Sequence, residues 1–140
     1  MPSVLIIEKQ GKIRKSLVSI FNQRGFKTCV GTGWENAGNL LRDNVYDLII
    51  VDLDLNPSHG FEMLKSIKFS QSDAEIIAII PSHDYDGGRV TGCGAYDYIV
   101  KPIRQKDIVT LGKKALEKKQ LTDKVRNLEK IMDMDKSTLS

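Results

Sequence analysis

Short apolar runs alternate along the chain with longer segments whose apolar residues recur at helical spacing. "SVLII", 3–7, predicts a strand buried on both faces. "KIRKSLVSIFNQRG" follows, with Ile13, Leu17, Ile20 and Phe21 on one helical face and Gly25 as its stop. "FKTCV", 26–30, is more polar and predicts a strand near a sheet edge. "WENAGNLLRDN" predicts a second helix, weakened by Gly38, and "DLIIV", 47–51, a third strand that is apolar on both faces. "FEMLKSIKF" predicts a third helix through Phe61, Leu64 and Ile67. "EIIAII", 75–80, and "DYIV", 97–100, predict the last two strands. The four glycines between those two allow one short or distorted helical turn. A long helix should begin near Gln105 and run past Met132, with "DMDKSTLS" at the end disordered.

This βα alternation predicts an α/β fold: a doubly wound parallel sheet with helices on both faces and right-handed connections. Strands that are continuously apolar, rather than alternating, fit burial on both faces. The length of 140 residues suits one domain, and 41% hydrophobic with 28% charged residues reads as soluble and globular. A net charge of +3 is too weak to argue for nucleic acid, and no recognition element accompanies it, so no direct DNA binding is expected. Cys29 and Cys93 form neither a disulfide framework nor a zinc spacing and read as reduced thiols of a cytoplasmic protein. The start "MPSVLIIEK" lacks the pattern of a signal peptide, and no apolar run reaches membrane-spanning length.

Three of the five strands end in a charge: Glu8 after "VLII", Asp52 after "LIIV" and Lys101 after "YIV". In a parallel sheet those ends share one edge, where ligands of open doubly wound sheets bind. Two acids there can hold a hard divalent cation such as magnesium together with a phosphate, and a lysine can neutralise phosphate oxygens.

With "VLIIEKQGKIRKSL", "YDLIIVDLDLNPSHGFEML" and "GAYDYIVKPI" in this order, the chain resembles the receiver domain of two-component response regulators over residues 4–103. The resemblance implies a flavodoxin-like five-stranded sheet of order 2-1-3-4-5. It implies that Asp52 accepts a phosphoryl group from a phosphohistidine of a sensor histidine kinase or phosphotransfer protein. Lys101 then binds the phosphoryl oxygens, followed by Pro102, often through a cis bond. Tyr98 matches the aromatic that changes rotamer on activation, and Gly60 closes the loop after the phosphoacceptor. Such a domain is a regulatory phosphoacceptor, at most labelling and unlabelling itself, and not an enzyme in the ordinary sense. No general base is required, because a carboxylate is already ionised at neutral pH.

The pattern departs from the family at the chemistry. Family members carry two adjacent acids after the first strand; here the pair is Glu8-Lys9. The cation would keep Glu8, Asp52 and the backbone carbonyl of Asp54. A unit charge about 4 Å away is worth roughly 4 kcal/mol at an effective dielectric of 20, so Lys9 should weaken or remove Mg2+ binding. Lys9 could instead pair with Asp52 and partly stand in for the metal. The small hydroxyl residue expected after the fourth strand is matched only by Ser82, which lies slightly late, and Pro57 also sits one place late. One alternative is a pseudo-receiver that binds partners without phosphate. A remoter one is a haloacid dehalogenase-like phosphatase, suggested by the DxD of "VDLDLN", although there the motif follows a first strand and here it follows a third.

His59 and His83 fall in loops, Trp34 opens a helix, and "GTG" at 31–33 lacks the rest of a dinucleotide fingerprint. The receiver is expected to span residues 1–118, with a helical extension over 119–140. In that extension Leu121, Val125, Leu128 and Met132 follow spacings of 4, 3 and 4, a heptad seam of about two repeats. It suggests a homodimerising helix leading to an output domain or partner protein.

Overall fold

The computed structural model describes the backbone of residues 1–139 and the side chains of residues 1–134. Five strands alternate with helices: β1 (Ser3–Ile7), α1 (Gly11–Asn22), β2 (Lys27–Gly31), α2 (Trp34–Asp43), β3 (Leu48–Asp52), α3 (Gly60–Ser70), β4 (Glu75–Ile80), α4 (Gly87–Gly92), β5 (Asp97–Val100) and α5 (Gln105–Leu139). The sheet is parallel throughout, in the order β2-β1-β3-β4-β5. The more polar "KTCVG" forms an edge strand, as its pattern predicts.

The central strands are apolar at nearly every position because each face of the sheet is covered. Leu5, Ile7, Ile49, Val51, Ile76, Ala78 and Ile80 face one cluster with residues of α2, α3 and α4. Val4, Ile6, Leu48, Ile50, Ile77, Ile79 and Ile99 face the other, closed by Leu17 and Phe21 of α1 and Ile108 and Ala115 of α5. Burying one such Leu or Ile is worth about 1.5–3 kcal/mol, so register is fixed wherever the strands are central. The same burial holds α2 together despite Gly38, since Ala37 and Leu41 are in the core.

Two glycines act where the backbone demands them. Gly25, at φ +82°, turns the chain out of α1. Gly87 opens α4 where the Tyr98 ring occupies the space a Cβ would fill. The glycine-rich stretch forms a six-residue helix rather than a full one, its first turn capped by Asp86 Oδ1, which accepts from Arg89 N–H at 3.0 Å.

α5 passes residue 118 without a break. Residues 133–139, read from the sequence as a disordered end, continue it as helix, and Ser140 lies outside the described residues. Among the described residues no helix is long and apolar enough to cross a membrane.

Candidate functional site

Strand register brings the three charged ends together. Ile7 is level with Val51, so Glu8 follows at the height of Asp52, the last residue of β3. Ile80 is level with Val100, and Lys101 N–H donates to the Ile80 carbonyl at 3.0 Å, placing the lysine just beyond the same edge.

Asp52 is 2% exposed, and both its oxygens are held. Oδ1 accepts from the Asp54 amide at 2.9 Å, where the chain turns into the short 3-10 segment Leu53–Leu55. Oδ2 lies 2.6 Å from Lys101 Nζ. Burial alone lowers the affinity of that ammonium for its proton, but Asp52, with Glu8 and Asp54 behind it, more than offsets this and holds Lys101 above the ordinary lysine value. Lys101 joins Pro102 through a cis bond.

Glu8 is fully buried. Its Oε1 accepts from the Gln10 amide at 3.0 Å, whereas Oε2 has no hydrogen-bond partner. Burial first, and the Asp52 carboxylate beside it second, push the Glu8 carboxyl up to about 7; the Gln10 amide and Lys101 pull the other way. A proton on Oε2 would give the orphaned oxygen a partner in Asp52.

Lys9 points elsewhere. Its side chain is exposed, and the cation on Asp52 is Lys101. The backbone at this corner is pinned by Arg14, whose guanidinium donates to the carbonyls of Glu8 and Lys9 at 2.9 and 3.2 Å. Nothing in the sequence distinguishes Arg14 from other helix-surface arginines, because its partners are carbonyls.

Tyr98 is half-buried on β5 and packs against Gly87 at the start of α4. Ser82 is exposed, two residues past the end of β4. The strand end itself is occupied by Ile80, which is buried and carries no hydroxyl. Gly60 is buried at the start of α3, and the Tyr85 hydroxyl stands where its Cβ would be. Tyr85 also packs on Phe61 (ring centroids 5.2 Å apart), with the Arg89 guanidinium 4.0 Å from the Phe61 centroid. This cluster ties the loop after Asp52 to the loop before α4; Gly60 and Phe61 of it were legible in the sequence, Tyr85 and Arg89 were not. His59, His83 and Pro57 are exposed.

The donor set falls short of a dedicated divalent-cation site. Two carboxylates converge, and one of them is already bound to a lysine. Among the described residues no group of three or more His, Cys, Asp or Glu is placed to hold a metal ion. What the arrangement offers is a nearly buried, oriented carboxylate with a fixed positive charge on it, at the carboxyl edge of the sheet.

The family model of the response regulator receiver domain matches residues 4–113. The transcriptional regulatory protein AfsQ1 of Streptomyces coelicolor is 33% identical over 106 residues, covering 74% of this chain and 46% of that protein. The chain spans less than half the length of the curated relatives it matches first, such as AfsQ1 and, at 28%, the regulatory protein AtoC of Escherichia coli. Among solved structures, NtrX from Brucella abortus in complex with ADP superposes with a TM-score of 0.83 at 23% identity, over 93% of this chain and 30% of that one. A CheY-like receiver domain protein from Methanospirillum hungatei gives 0.79 at 18% identity, over 87% and 98%. At these identities the structures speak for the fold, while the family model covers most of the chain, including Glu8, Asp52 and Lys101; this chain belongs to the response regulator receiver domain family.

Proposed function

We propose that Asp52 accepts a phosphoryl group from a phosphohistidine of a partner kinase or phosphotransfer protein, with Lys101 as the fixed counter-charge. The observation that carries this reading is the 2.6 Å contact between Lys101 Nζ and a nearly buried Asp52 whose other oxygen is held by a backbone amide. A carboxylate oxygen attacks phosphorus, the phosphorus–nitrogen bond to the histidine breaks, and its electron pair returns to the imidazole. No proton has to leave the nucleophile. Lys101 moves from Asp52 to the new phosphoryl oxygens as they arrive.

Receiver domains generally bind Mg2+ at this edge. With Lys9 in place of an acid, this one binds it weakly or not at all, and Lys101 carries more of the charge neutralisation. The added charge draws on Lys101 and Pro102 and shifts Tyr98 from its seat on Gly87, changing the surface of α4 and α5. Ile80 offers the phosphoryl group no hydroxyl, so Ser82 contributes only if its loop folds inward. The output domain or partner protein reads α4 and α5, in the cytoplasm. A phosphorylation-independent interaction module is the second reading, favoured by Lys9 and Ile80 standing where the family has an acid and a hydroxyl.

Incubation with acetyl phosphate, with and without Mg2+, followed by intact-mass measurement, tests this. Wild type should gain one phosphoryl group with little dependence on Mg2+, Asp52→Asn none, and Lys9→Asp should become Mg2+-dependent. No gain in wild type from acetyl phosphate or from a phosphohistidine donor would leave the interaction module as the function.

A further inference from the structure

We propose that the outer side of β2 is a docking site for an extended, acidic peptide segment of a partner protein, which joins the sheet as one more strand beside β2. Strand β2 lies at the end of the sheet order, with β1 on one side and no strand on the other. Its ladder to β1 uses alternate residues. Lys27 N–H donates to the Pro2 carbonyl at 2.8 Å, and the Gly31 carbonyl accepts from Glu8 N–H at 3.0 Å. With Ser3 level with Lys27 and Ile7 with Gly31, this alternation gives Lys27, Cys29 and Gly31 to β1 and turns the backbone N–H and C=O groups of Thr28 and Val30 outward. At the other end of the sheet β5 differs: its Tyr98 amide is taken by the Asp97 carboxylate at 2.8 Å. An open row of backbone groups is a template for a further strand.

The strand opens on a groove of about 540 Å³ between β2 and α1. Thr28 and Val30 turn their side chains towards α1, where Thr28 Oγ1 donates to Asn22 Oδ1 at 2.8 Å. Val18, half-buried, and Val30, exposed, give the groove an apolar strip, and Arg14 and Lys15 line it with charge. An added strand lies about 4.8 Å from β2 and presents alternate side chains to this groove. Aliphatic side chains there would cover Val18 and Val30.

Charge selects the peptide. Between Glu8 and Glu35 the chain carries six basic residues, Lys9, Lys12, Arg14, Lys15, Arg24 and Lys27, and no acid. They outweigh the net charge of +3, so the rest of the chain is net negative. Among the described residues none of the six is in an ion pair; Arg14 donates to the carbonyls of Glu8 and Lys9, and Arg24 to that of Ile20, so both keep their charge. A neutral strand would find the same backbone groups. The basic flank is what favours glutamate and aspartate between the aliphatic residues and turns basic segments away.

Titration of the full chain with a short fluorescein-labelled peptide of alternating glutamate and valine tests this. Wild type should bind with a Kd of roughly 10–100 μM at low salt, weakening as salt screens the charges. Lysine in place of each glutamate should abolish binding, and so should N-methylation of the peptide amides, which blocks backbone pairing and leaves the charge. Lys15→Glu and Lys27→Glu should each weaken binding about fivefold. In hydrogen exchange followed by NMR, the outward amides of Thr28 and Val30 should slow about tenfold at saturating peptide, while that of Cys29, already bonded to β1, should not change. No binding up to about 1 mM peptide overturns the proposal. So does binding that leaves the Thr28 and Val30 amides unprotected, or that is matched by the N-methylated peptide or by single-stranded DNA; the face would then be a surface for polyanions only.

Discussion

The two edges of the sheet gather the same chemistry and settle it differently. At the amino edge every acid has a base, four acids to three bases: Glu75 has Lys118, Asp123 and Asp47 have Lys119 at 2.6 and 3.8 Å, and Asp73 has Arg126. Asp47 also accepts from the Ser3 amide and hydroxyl at 2.8 and 3.2 Å. At the carboxyl edge two acids, both nearly or fully buried, share one lysine, and a Glu8 oxygen has no partner. The balanced edge positions a helix. The unbalanced edge holds charge that burial makes expensive, and a group arriving there with its own proton or charge changes the energy of the whole corner.

The largest test of this contrast removes the shared lysine. Lys101→Met leaves Asp52 and Glu8 facing each other with no cation. Breaking a buried pair on one side costs about 3 kcal/mol, so urea denaturation at pH 8 should show a loss of that order. Phosphoryl uptake from acetyl phosphate should slow on the order of 100-fold, as when a positioned electrostatic donor is lost. A variant as stable as wild type would mean that the carboxyl edge is as loosely held as a surface pair.

Protonation sharpens the same point. Glu8 titrates near 7 in the folded chain against an ordinary glutamate value of 4.5, so the folded state holds this proton more tightly than the unfolded state. Its contribution is fully present below about 4.5 and is lost as pH rises to about 7, amounting to about 3 kcal/mol. The other displaced groups titrate outside that window: Asp73 is lowered below 3.8, while Lys101 is raised above 10.5, Tyr46 and Tyr85 above 10.0, and Arg126 is raised as well. Urea denaturation of wild type should therefore show stability falling between pH 5 and pH 7. In Glu8→Gln, which removes the ionisable group and can donate to Asp52, that slope should disappear and stability at pH 8 should rise. An unchanged slope would place the titrating group elsewhere.

The sequence announced the unbalanced edge better than the balanced one, for a physical reason. A charge closing an apolar run stands out against its neighbours, so Glu8, Asp52 and Lys101 were legible at once, as were the strands and the short α4. Parallel topology then brings strand ends to one edge without further information. The amino-edge latch joins Lys118 to Glu75, 43 residues apart, in a pairing set only by how far α5 travels down the sheet. In the sequence Lys118 and Lys119 are two members of a lysine-rich helix face. Lys9 misleads for the converse reason: its place beside Glu8 suggests a partner for Asp52, but successive residues leaving a strand point opposite ways, and Lys101 arrives from the far strand. Tyr85 sat among glycines and polar residues with no period to mark it. Its role follows from the Gly60 backbone it covers, which only the fold brings near.

The smallest expected effect lies at the balanced edge and bounds the comparison from below. Arg126 and Asp73 are each about half exposed, at 49% and 47%. Water screens such a pair, and ordering two side chains offsets much of its attraction. Arg126→Ala should shift the melting temperature by about 1 °C or less. That shift should vanish near 0.5 M salt, where the screening length is about 4 Å. Lys101→Met should keep most of its penalty in the same salt, because Asp52 is buried from the counter-ions that screen Asp73. If the two variants lost the same fraction of their effect with salt, the difference between the edges would be one of charge count alone, and burial would have no part in how Asp52 is held.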